Sequence, residues 1–469
     1  MALVQKQRKK SMGVVQLTIL TTVNMMGSGI ILLPANLAQV GTISIFSWLV
    51  TTLGAGLLAY AFARAGTLSS KAGGMGGYAE YAFGKAGNFL ANYTYGVSLL
   101  IANVAIAISA VGYGVVLFHV SLTPLSTCLV TVAVLWLATV LNFGGAAITG
   151  RISSVTVWGV IIPVLGISLI GWFWFDPGVY SAAWNPHHYS AFKGVSSSIA
   201  ITLWAFLGLE SACANSDAVD NPKKNVPIAV IGGTLAAAVL YIVSTNVIAG
   251  IVPNLDLAKS TAPFGLAFAQ MFTPTVGNVI MGLLIVSCFG SLLGWQFTIA
   301  EVFRTSAEVG YFPSIFRRVS RLGAPIAGMV LITAAQSLLS LLTISPSLST
   351  QFIVLVNLAV VTNLMPYLLS MGAIPMMQSM LGVAARRARV ANVVAVLAGI
   401  YSLYALYSAG YQAVTWGAIV TFAGWILYGT VAGRLAQPLL SDGNAVDPSD
   451  RRGAAPSSVA VSSAVPHIA

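Results

Sequence analysis

The chain has 469 residues, of which 57% are hydrophobic and 7% are charged, and its mean hydropathy is +0.87. Because a soluble globular domain carries about 25% charged residues, this composition excludes the soluble classes. It predicts an all-α polytopic membrane protein that contacts a lipid bilayer. The formal net charge of +11 is scattered over short loops, which argues against nucleic-acid binding.

Twelve apolar stretches are long enough to cross a bilayer as helices. The first is too long for the apolar core of a signal peptide and is followed by further spans, so we expect it to remain. In chain order, the predicted spans lie near 14–38, 43–63, 87–116, 122–143, 152–175, 195–216, 226–250, 275–301, 326–344, 351–375, 391–409 and 414–434.

The two ends of the chain differ from the membrane domain. Residues 1–13 predict a short basic tail, and residues 435–469, rich in Ser, Ala and Pro, predict a disordered tail. With the N-terminus inside, all but two of the 22 Lys and Arg residues fall in inward-facing segments. Only Lys193 and Lys259 fall outside. The positive-inside rule therefore predicts that both termini are cytoplasmic.

Two of the spans are interrupted. The first contains Gly27-Ser28-Gly29 soon after Asn24, and the sixth is interrupted around Gly208. Breaks at corresponding positions of two halves indicate inverted repeats with a site near the middle of the membrane.

The breaks divide the chain into repeats. They predict a first five-helix repeat over 14–175 and a second over 195–375, with helices eleven and twelve at 391–434 outside the repeat.

Unwinding a helix frees backbone groups, which are tolerated at membrane depth only where they line a cavity. N–H groups of residues 27–30 can hold a carboxylate, and carbonyls around 204–207 can hold an ammonium. The alternative for the first break is a glycine-mediated helix-packing contact.

Glu210 lies inside the apolar sixth span. A carboxylate there costs roughly 2.5–3.5 kcal/mol on insertion scales. The other ten of the eleven acidic residues can be placed in loops, tails or helix ends, and no Lys or Arg lies deep in another span. A mobile cation is therefore the favoured partner: a proton, a metal ion or a charged substrate. The alternative is a structural carboxylate that is hydrogen-bonded to a neighbouring helix.

Aromatic and amide side chains accompany Glu210. On an unbroken helix Trp204 and Glu210 point about 120° apart, but a break at Gly208 lets both face one cavity. Trp295 is a second candidate, because indole faces attract ammonium groups. Asn103 is a polar group in an apolar span and needs a partner. Packing or lipid contact is the alternative for each Trp, and four others are expected to be interfacial: Trp48, Trp172, Trp174 and Trp425.

Glu80 lies between the second and third spans, on the expected cytoplasmic side. It either lines an inner vestibule or pairs with Lys71 or Lys85. Neither the cysteines nor the histidines predict a metal site, because they show no ligand spacing, and no cofactor is expected. The three cysteines, all within predicted spans, are Cys128, Cys213 and Cys288.

The chain resembles the amino acid–polyamine–organocation superfamily, in the branch of basic amino acid and polyamine antiporters. The similarity runs from about Met12 to Gly433. Its most specific stretches are Met12–Leu20, Asn24–Ile30, Gly73–Tyr81, Leu203–Ser211 and Gly290–Gln296.

The resemblance implies a leucine-transporter-type fold of twelve helices, with a five-plus-five inverted repeat and two extra helices. It also implies exchange of cytoplasmic putrescine for external ornithine across a bacterial inner membrane, with proton-coupled putrescine uptake as a second mode. Related exchangers take cadaverine and lysine, or agmatine and arginine, and are the alternative. A homo-oligomer is compatible with this reading.

The resemblance also assigns residues. Asn24 and the Gly27-Ser28-Gly29 segment are expected to bind the ornithine carboxylate. Four residues are expected to bind the amines or to gate the path: Asn103, Trp204, Glu210 and Trp295. Tyr95 and Tyr428 are expected to be further path residues. An interfacial position is the alternative for Tyr428.

Rival classes fit the sequence less well. A channel needs a polar-lined pore, and an enzyme needs a catalytic pair or metal ligands, which a lone carboxylate does not supply. We therefore expect a transporter and not an enzyme.

Overall fold

The computed structural model describes residues 13–27, 29–69, 71, 73–210, 221–345 and 347–441. Over these residues the chain is helical, with no β-strand. Short 3₁₀ turns lie at Thr42–Ser44, Gly171–Trp174 and Ser314–Arg317. The helices are α1 (Val14–Met26), α2 (Leu33–Ala38), α3 (Ile45–Leu68), α4 (Met75–Leu117), α5 (Pro124–Asn142), α6 (Ala146–Thr156), α7 (Trp158–Ile170), α8 (Pro177–Ala182), α9 (Ala191–Trp204), α10 (Pro222–Ile251), α11 (Asn254–Lys259), α12 (Pro263–Met271), α13 (Pro274–Glu308), α14 (Ile326–Leu342), α15 (Leu348–Met380), α16 (Ala385–Ser408) and α17 (Tyr411–Ser441).

Nine helical segments of the described residues are long and apolar enough to cross a membrane. They include α3, α4, α5, α10, α13, α15, α16 and α17, and one is formed by α6 and α7 together. The apolar helices α1 and α14 are shorter, with 13 and 17 residues. The predicted all-helical, multi-span membrane class is confirmed.

The helix α4 is the centre of the packing. It is 43 residues long and is kinked at Gly84, whose φ is 61°. It packs along α15 and α13, and α10 packs against α1 and α3. Large apolar side chains stay exposed at the periphery, among them Phe173, Leu342 and Ile426. In a membrane protein these side chains are suited to contact lipid.

Helices α1 and α9 end where the sequence predicts breaks. The first ends at Met26, and Gly27 then leaves helical geometry with φ −39° and ψ −124°. After α9, turns with i to i+3 hydrogen bonds continue as far as Leu209, and Gly208 has φ +107°. Only a residue without a Cβ adopts this φ at no cost, which explains the glycine.

The two breaks lie against each other. A Cβ added at Gly29 would sit 3.4 Å from the Cα of Ala205, and one at Gly208 would sit 3.3 Å from the carbonyl oxygen of Asn24. Close backbone approach at the middle of the bundle requires small residues at both positions.

The prediction of an interfacial Trp48 is wrong. Its side chain is fully buried, and its ring lies 6.2 Å from Phe206 and 5.7 Å from Tyr241 between ring centroids. Trp172, Trp174 and Trp425 do remain exposed. Trp48 lies near the start of α3, where membrane depth alone suggested the interface. Trp48 is buried instead because it lies on the face of α3 that packs against the break after α9.

Candidate functional site

Two cavities meet at Glu210. The larger has a volume of about 710 Å³, and the smaller has a volume of about 40 Å³. The residues that line both cavities, and so form the junction between them, are Asn24, Gly27, Tyr95, Glu210 and Trp295.

The larger cavity reaches the surface at one end, where its wall includes the exposed residues Gly73, Ser154 and Thr305. This end lies among the loops and helix ends that the charge pattern predicts to be cytoplasmic. Its wall is otherwise built mainly from α4, α6 and α13, and it includes Ser287 and Ser291 of α13.

The carboxylate of Glu210 is buried, with 7% of the residue exposed. Its Oε1 accepts a hydrogen bond of 3.2 Å from the hydroxyl of Tyr95. Its Oε2 accepts a bond of 2.6 Å from Tyr367 and one of 3.1 Å from the backbone N–H of Gly208. These three donors fix the orientation of the carboxylate without cancelling its charge.

No basic side chain pairs with Glu210 in the part of the chain that the structure describes. The ion pairs found there are Lys71 with Glu80, and Arg304 with Glu301 and Glu308. A buried carboxylate with donors but no counter-ion is a chemically suitable place for a mobile cation.

Tyr367 is the site residue that sequence reasoning missed. It is fully buried and lies next to Pro366 within α15. A tyrosine in the middle of an apolar span has a hydroxyl that needs a partner, and this was the available signal.

Both predicted tryptophans lie at the cavities. Trp204 is 5% exposed, lines the smaller cavity and meets Phe352 edge-on at 6.4 Å between ring centroids. Trp295 lines both cavities, and a Cβ added at Gly208 would lie 3.2 Å from its ring. The break at Gly208 thus brings Trp204 and Glu210 to one cavity, as the helix geometry predicts.

The α1 break contributes three of the four predicted residues to the cavity walls. Asn24 and Gly27 line both cavities, and Gly29 lines the smaller one. Ser28 lies outside the described residues, as do Ser211 and Cys213 beyond Glu210. A Cβ added at Gly27 would lie 2.5 Å from Ser291 Oγ, so α1 and α13 meet closely here.

Asn103 lies behind the wall. It is fully buried, and its amide nitrogen donates a 2.7 Å hydrogen bond to Gln296 Oε1. Gln296 in turn donates to Gln336 Oε1 at 2.7 Å and to the hydroxyl of Thr333 at 2.9 Å. The network joins α4, α13 and α14, one residue away from Ala102 in the wall of the smaller cavity.

The remaining candidates, Glu80 and Tyr428, line neither cavity. Glu80 pairs with Lys71 at 2.8 Å and accepts a 2.6 Å hydrogen bond from Asn88, so the predicted alternative of a lysine partner is present. Tyr428 packs on Phe89 with 5.5 Å between ring centroids. Burial raises the pKa of the nearby Tyr311 to about 12, and the Glu80 carboxylate adds to the rise.

Comparison with known proteins identifies the family. The family model described as "Amino acid permease" matches residues 12–428. The chain is 67% identical over 427 residues to the protein named "Putrescine transporter PotE" in Escherichia coli (strain K12), covering 91% of this chain and 97% of that protein. The protein of the same name in Haemophilus influenzae is 67% identical over 425 residues, covering 91% and 98%.

A more distant relative has a related name. The "Cadaverine/lysine antiporter" of Escherichia coli (strain K12) is 34% identical over 369 residues, covering 77% of this chain and 82% of that protein. The family model's match, residues 12–428, includes the broken helices and the residues that line both cavities. The chain therefore belongs to the amino acid permease family and, within the amino acid–polyamine–organocation superfamily, to the branch of polyamine antiporters.

Proposed function

We propose that this chain is a secondary transporter that exchanges cytoplasmic putrescine for external ornithine by alternating access, with proton-coupled putrescine uptake as a second mode. The observation that carries the proposal is Glu210, a buried carboxylate with three hydrogen-bond donors and no basic partner among the described residues. Its place at the junction of two cavities is where a cationic substrate can meet it. The name of the relatives at 67% identity supports putrescine as the substrate.

One ammonium of putrescine binds the Glu210 carboxylate in this proposal. Charge-assisted hydrogen bonds are about twice as strong as neutral ones, so the carboxylate discriminates amines from neutral solutes. The ring faces of Trp204 and Trp295 attract the same cation by roughly 0.5–2 kcal/mol each.

The carboxylate of ornithine binds at the α1 break. Asn24, Gly27, Ser28 and Gly29 offer the amide and backbone N–H groups there, and unwound helix ends suit a carboxylate. Ornithine thus places its carboxylate at α1 and an amine at Glu210, whereas putrescine uses the amine sites alone.

The other predicted residues act on the walls or at the rim. We place Tyr95 as a positioning residue for Glu210, because its hydroxyl is 3.2 Å from the carboxylate. Asn103 supports the wall through Gln296. Glu80 and Tyr428 attract and guide the cation at the cytoplasmic rim.

The proposed membrane arrangement has twelve spans with both termini in the cytoplasm of a bacterial cell, in the inner membrane. Repeats at 14–175 and 195–375 and helices eleven and twelve at 391–434 lie between tails 1–13 and 435–469. Support comes from the distribution of Lys and Arg and from the breaks that follow α1 and α9.

The conformation is inward-facing in this proposal. At the opposite end from the open cavity, the hydroxyl of Tyr113 donates a 3.0 Å hydrogen bond to the carbonyl of Ile31. Ser349 donates to Asn36 Oδ1 at 3.2 Å and accepts from Gln39 at 3.0 Å. Opening to the outside then requires that α2 and the segment before it, which holds Ile31, separate from α4 and α15 by breaking these bonds.

Counterflow in proteoliposomes tests the proposal. Vesicles loaded with putrescine should take up labelled ornithine, and empty vesicles should not. A panel of putrescine, cadaverine and agmatine inside, against ornithine, lysine and arginine outside, should give the fastest exchange for putrescine and ornithine. Recovered substrates should be chemically unchanged. Faster exchange of cadaverine for lysine, or uptake into empty vesicles without a proton gradient, contradicts the proposal.

A further inference from the structure

Gln296 follows Trp295 on α13 and faces away from the cavities. Trp295 lines both cavities, whereas Gln296 lines neither of them and is 1% exposed. Successive residues of a helix are turned by about 100°, so the helix that presents the indole to the cavity junction carries the amide into the protein behind the wall. A primary amide is costly to bury unless its polar atoms are hydrogen-bonded, so the partners of Gln296 fix where this part of α13 lies.

The amide of Gln296 is hydrogen-bonded to side chains of three other helices. Its Oε1 accepts from Asn103 Nδ2 of α4 at 2.7 Å and from Gln336 Nε2 of α14 at 2.9 Å. Its Nε2 lies 2.7 Å from Gln336 Oε1, and the two glutamine amides thus form a reciprocal pair. The hydroxyls of Thr333 on α14 and Thr139 on α5 lie 2.9 Å and 3.1 Å from the same nitrogen. A buried network in which every polar atom has a partner makes the helices that it joins rigid.

The segment of α13 just before Trp295 is less rigid by itself. It contains Gly290 and Gly294, and glycine weakens the interior of a helix. The glycines allow α6 to approach closely, since a Cβ added at Gly290 would overlap the hydroxyl of Thr156. Ser153 of α6 donates a 2.9 Å hydrogen bond to the carbonyl of Gly290. The position of Trp295 therefore depends on the bonds that α13 makes to its neighbours.

The bond between Asn103 and Gln296 joins two walls of the smaller cavity. Ala102, next to Asn103, lines this cavity from α4, and Trp295, next to Gln296, lines it from α13. The ring of Trp295 also lies against the break after α9, because a Cβ added at Gly208 would sit 3.2 Å from it. A rotation of α13 would move the ring away from this break and from the cavity junction. The bonds of Gln296 oppose that rotation.

We propose that Gln296 is a positioning residue for substrate binding, whose amide pair with Gln336 holds α13 in the rotation that presents the ring of Trp295 to an ammonium group at Glu210. Gln296 does not contact the substrate and acts only through the ring. This inference rests on the proposed function, because it takes an amine to be the substrate.

A double-mutant cycle on the purified full-length protein tests the assignment, with putrescine binding measured by titration calorimetry. Gln296→Leu should weaken binding by up to ~5–30-fold, the loss expected when the cation–π contact of the ring is removed. In a Trp295→Leu background the same change should have no further effect, because the ring that it positions is gone. An equal loss in both backgrounds would show that Gln296 acts independently of Trp295 and would overturn the proposal.

Stability and positioning can be separated at the amide pair. Gln296→Leu leaves buried polar atoms of Gln336 and Asn103 without partners, so its melting temperature should fall. Adding Gln336→Leu replaces both amides of the pair by apolar groups and should restore part of the melting temperature, but not the affinity. Affinity that recovers together with the melting temperature would leave Gln296 a structural role only.

Gln336→Leu alone keeps the test available if Gln296→Leu does not fold. It leaves Gln296 its bonds to Asn103 and to the two threonines. The loss of affinity should then be smaller, and it should again be present only with Trp295 in place. Wild-type affinity in this variant would contradict the role of the amide pair.

The chain offers a matched control in Gln378. Its side chain is as buried as that of Gln296, and its Nε2 donates a 2.6 Å hydrogen bond to Asn392 Oδ1 between α15 and α16. Gln378 lines neither cavity. Gln378→Leu should therefore lower the melting temperature and leave the affinity for putrescine unchanged. Equal losses of affinity in Gln378→Leu and Gln296→Leu would be a general response to a lost buried amide and would reject the proposal.

The outcomes separate this inference from the proposed function. Wild-type protein that binds no putrescine rejects the proposed function and this inference with it. Normal wild-type binding, together with a Gln296→Leu variant that binds putrescine as well as the wild type, rejects only the role of Gln296.

Discussion

At the scale of single residues, the site combines one negative charge with groups that hold it in place. Tyr95, Tyr367 and the N–H of Gly208 supply three donors to Glu210. An incoming ammonium must bind beside these donors or displace one of them. The longer bond to Tyr95, at 3.2 Å, is easier to displace than the 2.6 Å bond to Tyr367.

Replacing Glu210 by Gln should abolish tight binding of putrescine. Gln keeps the shape but removes the charge and sets an amide NH₂ among donors that need an acceptor. The expected loss is at least ~1.5–3 kcal/mol, the range for a charged hydrogen bond, or more than tenfold in dissociation constant. Glu210→Asp should retain part of the binding.

Glu308→Gln is the control for Glu210→Gln. It removes a carboxylate from the same protein, but Glu308 is half-exposed and paired with Arg304 on the end of α13. Its binding isotherm should match that of the wild type. Normal putrescine binding by Glu210→Gln would remove the carboxylate from the proposed site.

The two tryptophans at the cavities should contribute through their ring faces. Trp→Leu at 204 or 295 keeps apolar character and removes a cation–π contact of roughly 1–2 kcal/mol, so affinity should fall ~5–30-fold. Trp→Phe should be milder. Trp425→Leu, at an exposed peripheral position, should have no effect. Wild-type affinity in both Trp204→Leu and Trp295→Leu would assign these rings to packing.

At the scale of the helices, the sequence predicts most of what is observed. Apolar stretches predict the helices, and glycines within them predict the breaks after α1 and α9. Glu210 could be identified because the other acidic residues are accounted for elsewhere. What a single sequence does not contain is which helix faces meet. Tyr367 is 157 positions from Glu210 in the chain, and Gln296 is 193 positions from Asn103.

The break at Gly208 should not tolerate a side chain. Gly208→Ala places a Cβ 3.2 Å from the ring of Trp295, on a backbone with φ +107°. Strain at such a φ costs of order 1–3 kcal/mol. We expect a lower melting temperature and slower exchange in proteoliposomes.

Gly56→Ala is the matched control for Gly208→Ala. Gly56 lies inside α3, and an added Cβ there meets nothing within 4 Å. Alanine also has the higher helix propensity, so stability should stay equal or rise. An unaffected Gly208→Ala variant would show that the backbone can rearrange at this break.

At the scale of the whole molecule, orientation in the membrane decides which face is open. Single cysteines at the exposed positions Lys193 and Lys259, in a background without native cysteines, should react with an impermeant reagent added to intact cells. A cysteine at the exposed position Arg317 should react only after the membrane is opened. We expect this labelling pattern because nearly all Lys and Arg residues fall in the segments predicted to face the cytoplasm. The reverse pattern would invert the molecule and make the larger cavity outward-facing.

The charge moved in each cycle is a property of the whole molecule. In the proposed exchange, putrescine leaves as a dication and ornithine enters as a monocation, so one cycle moves one net positive charge outward. An inside-negative potential opposes that movement by about 2.3 kcal/mol per 100 mV. The concentration gradients of the two substrates must therefore drive the exchange.

Exchange in liposomes should accordingly depend on an imposed potential. Setting the interior negative with a potassium gradient and valinomycin should slow the efflux of putrescine against ornithine, and reversing the potential should speed it up. An exchange of lysine for ornithine, both monocations, would serve as the electroneutral control if the protein accepts lysine. Putrescine–ornithine rates that ignore the potential would mean that a compensating proton moves with the substrates. Glu210, the buried carboxylate without a basic partner among the described residues, is then the group to test as its carrier, by asking whether Glu210→Gln abolishes proton movement.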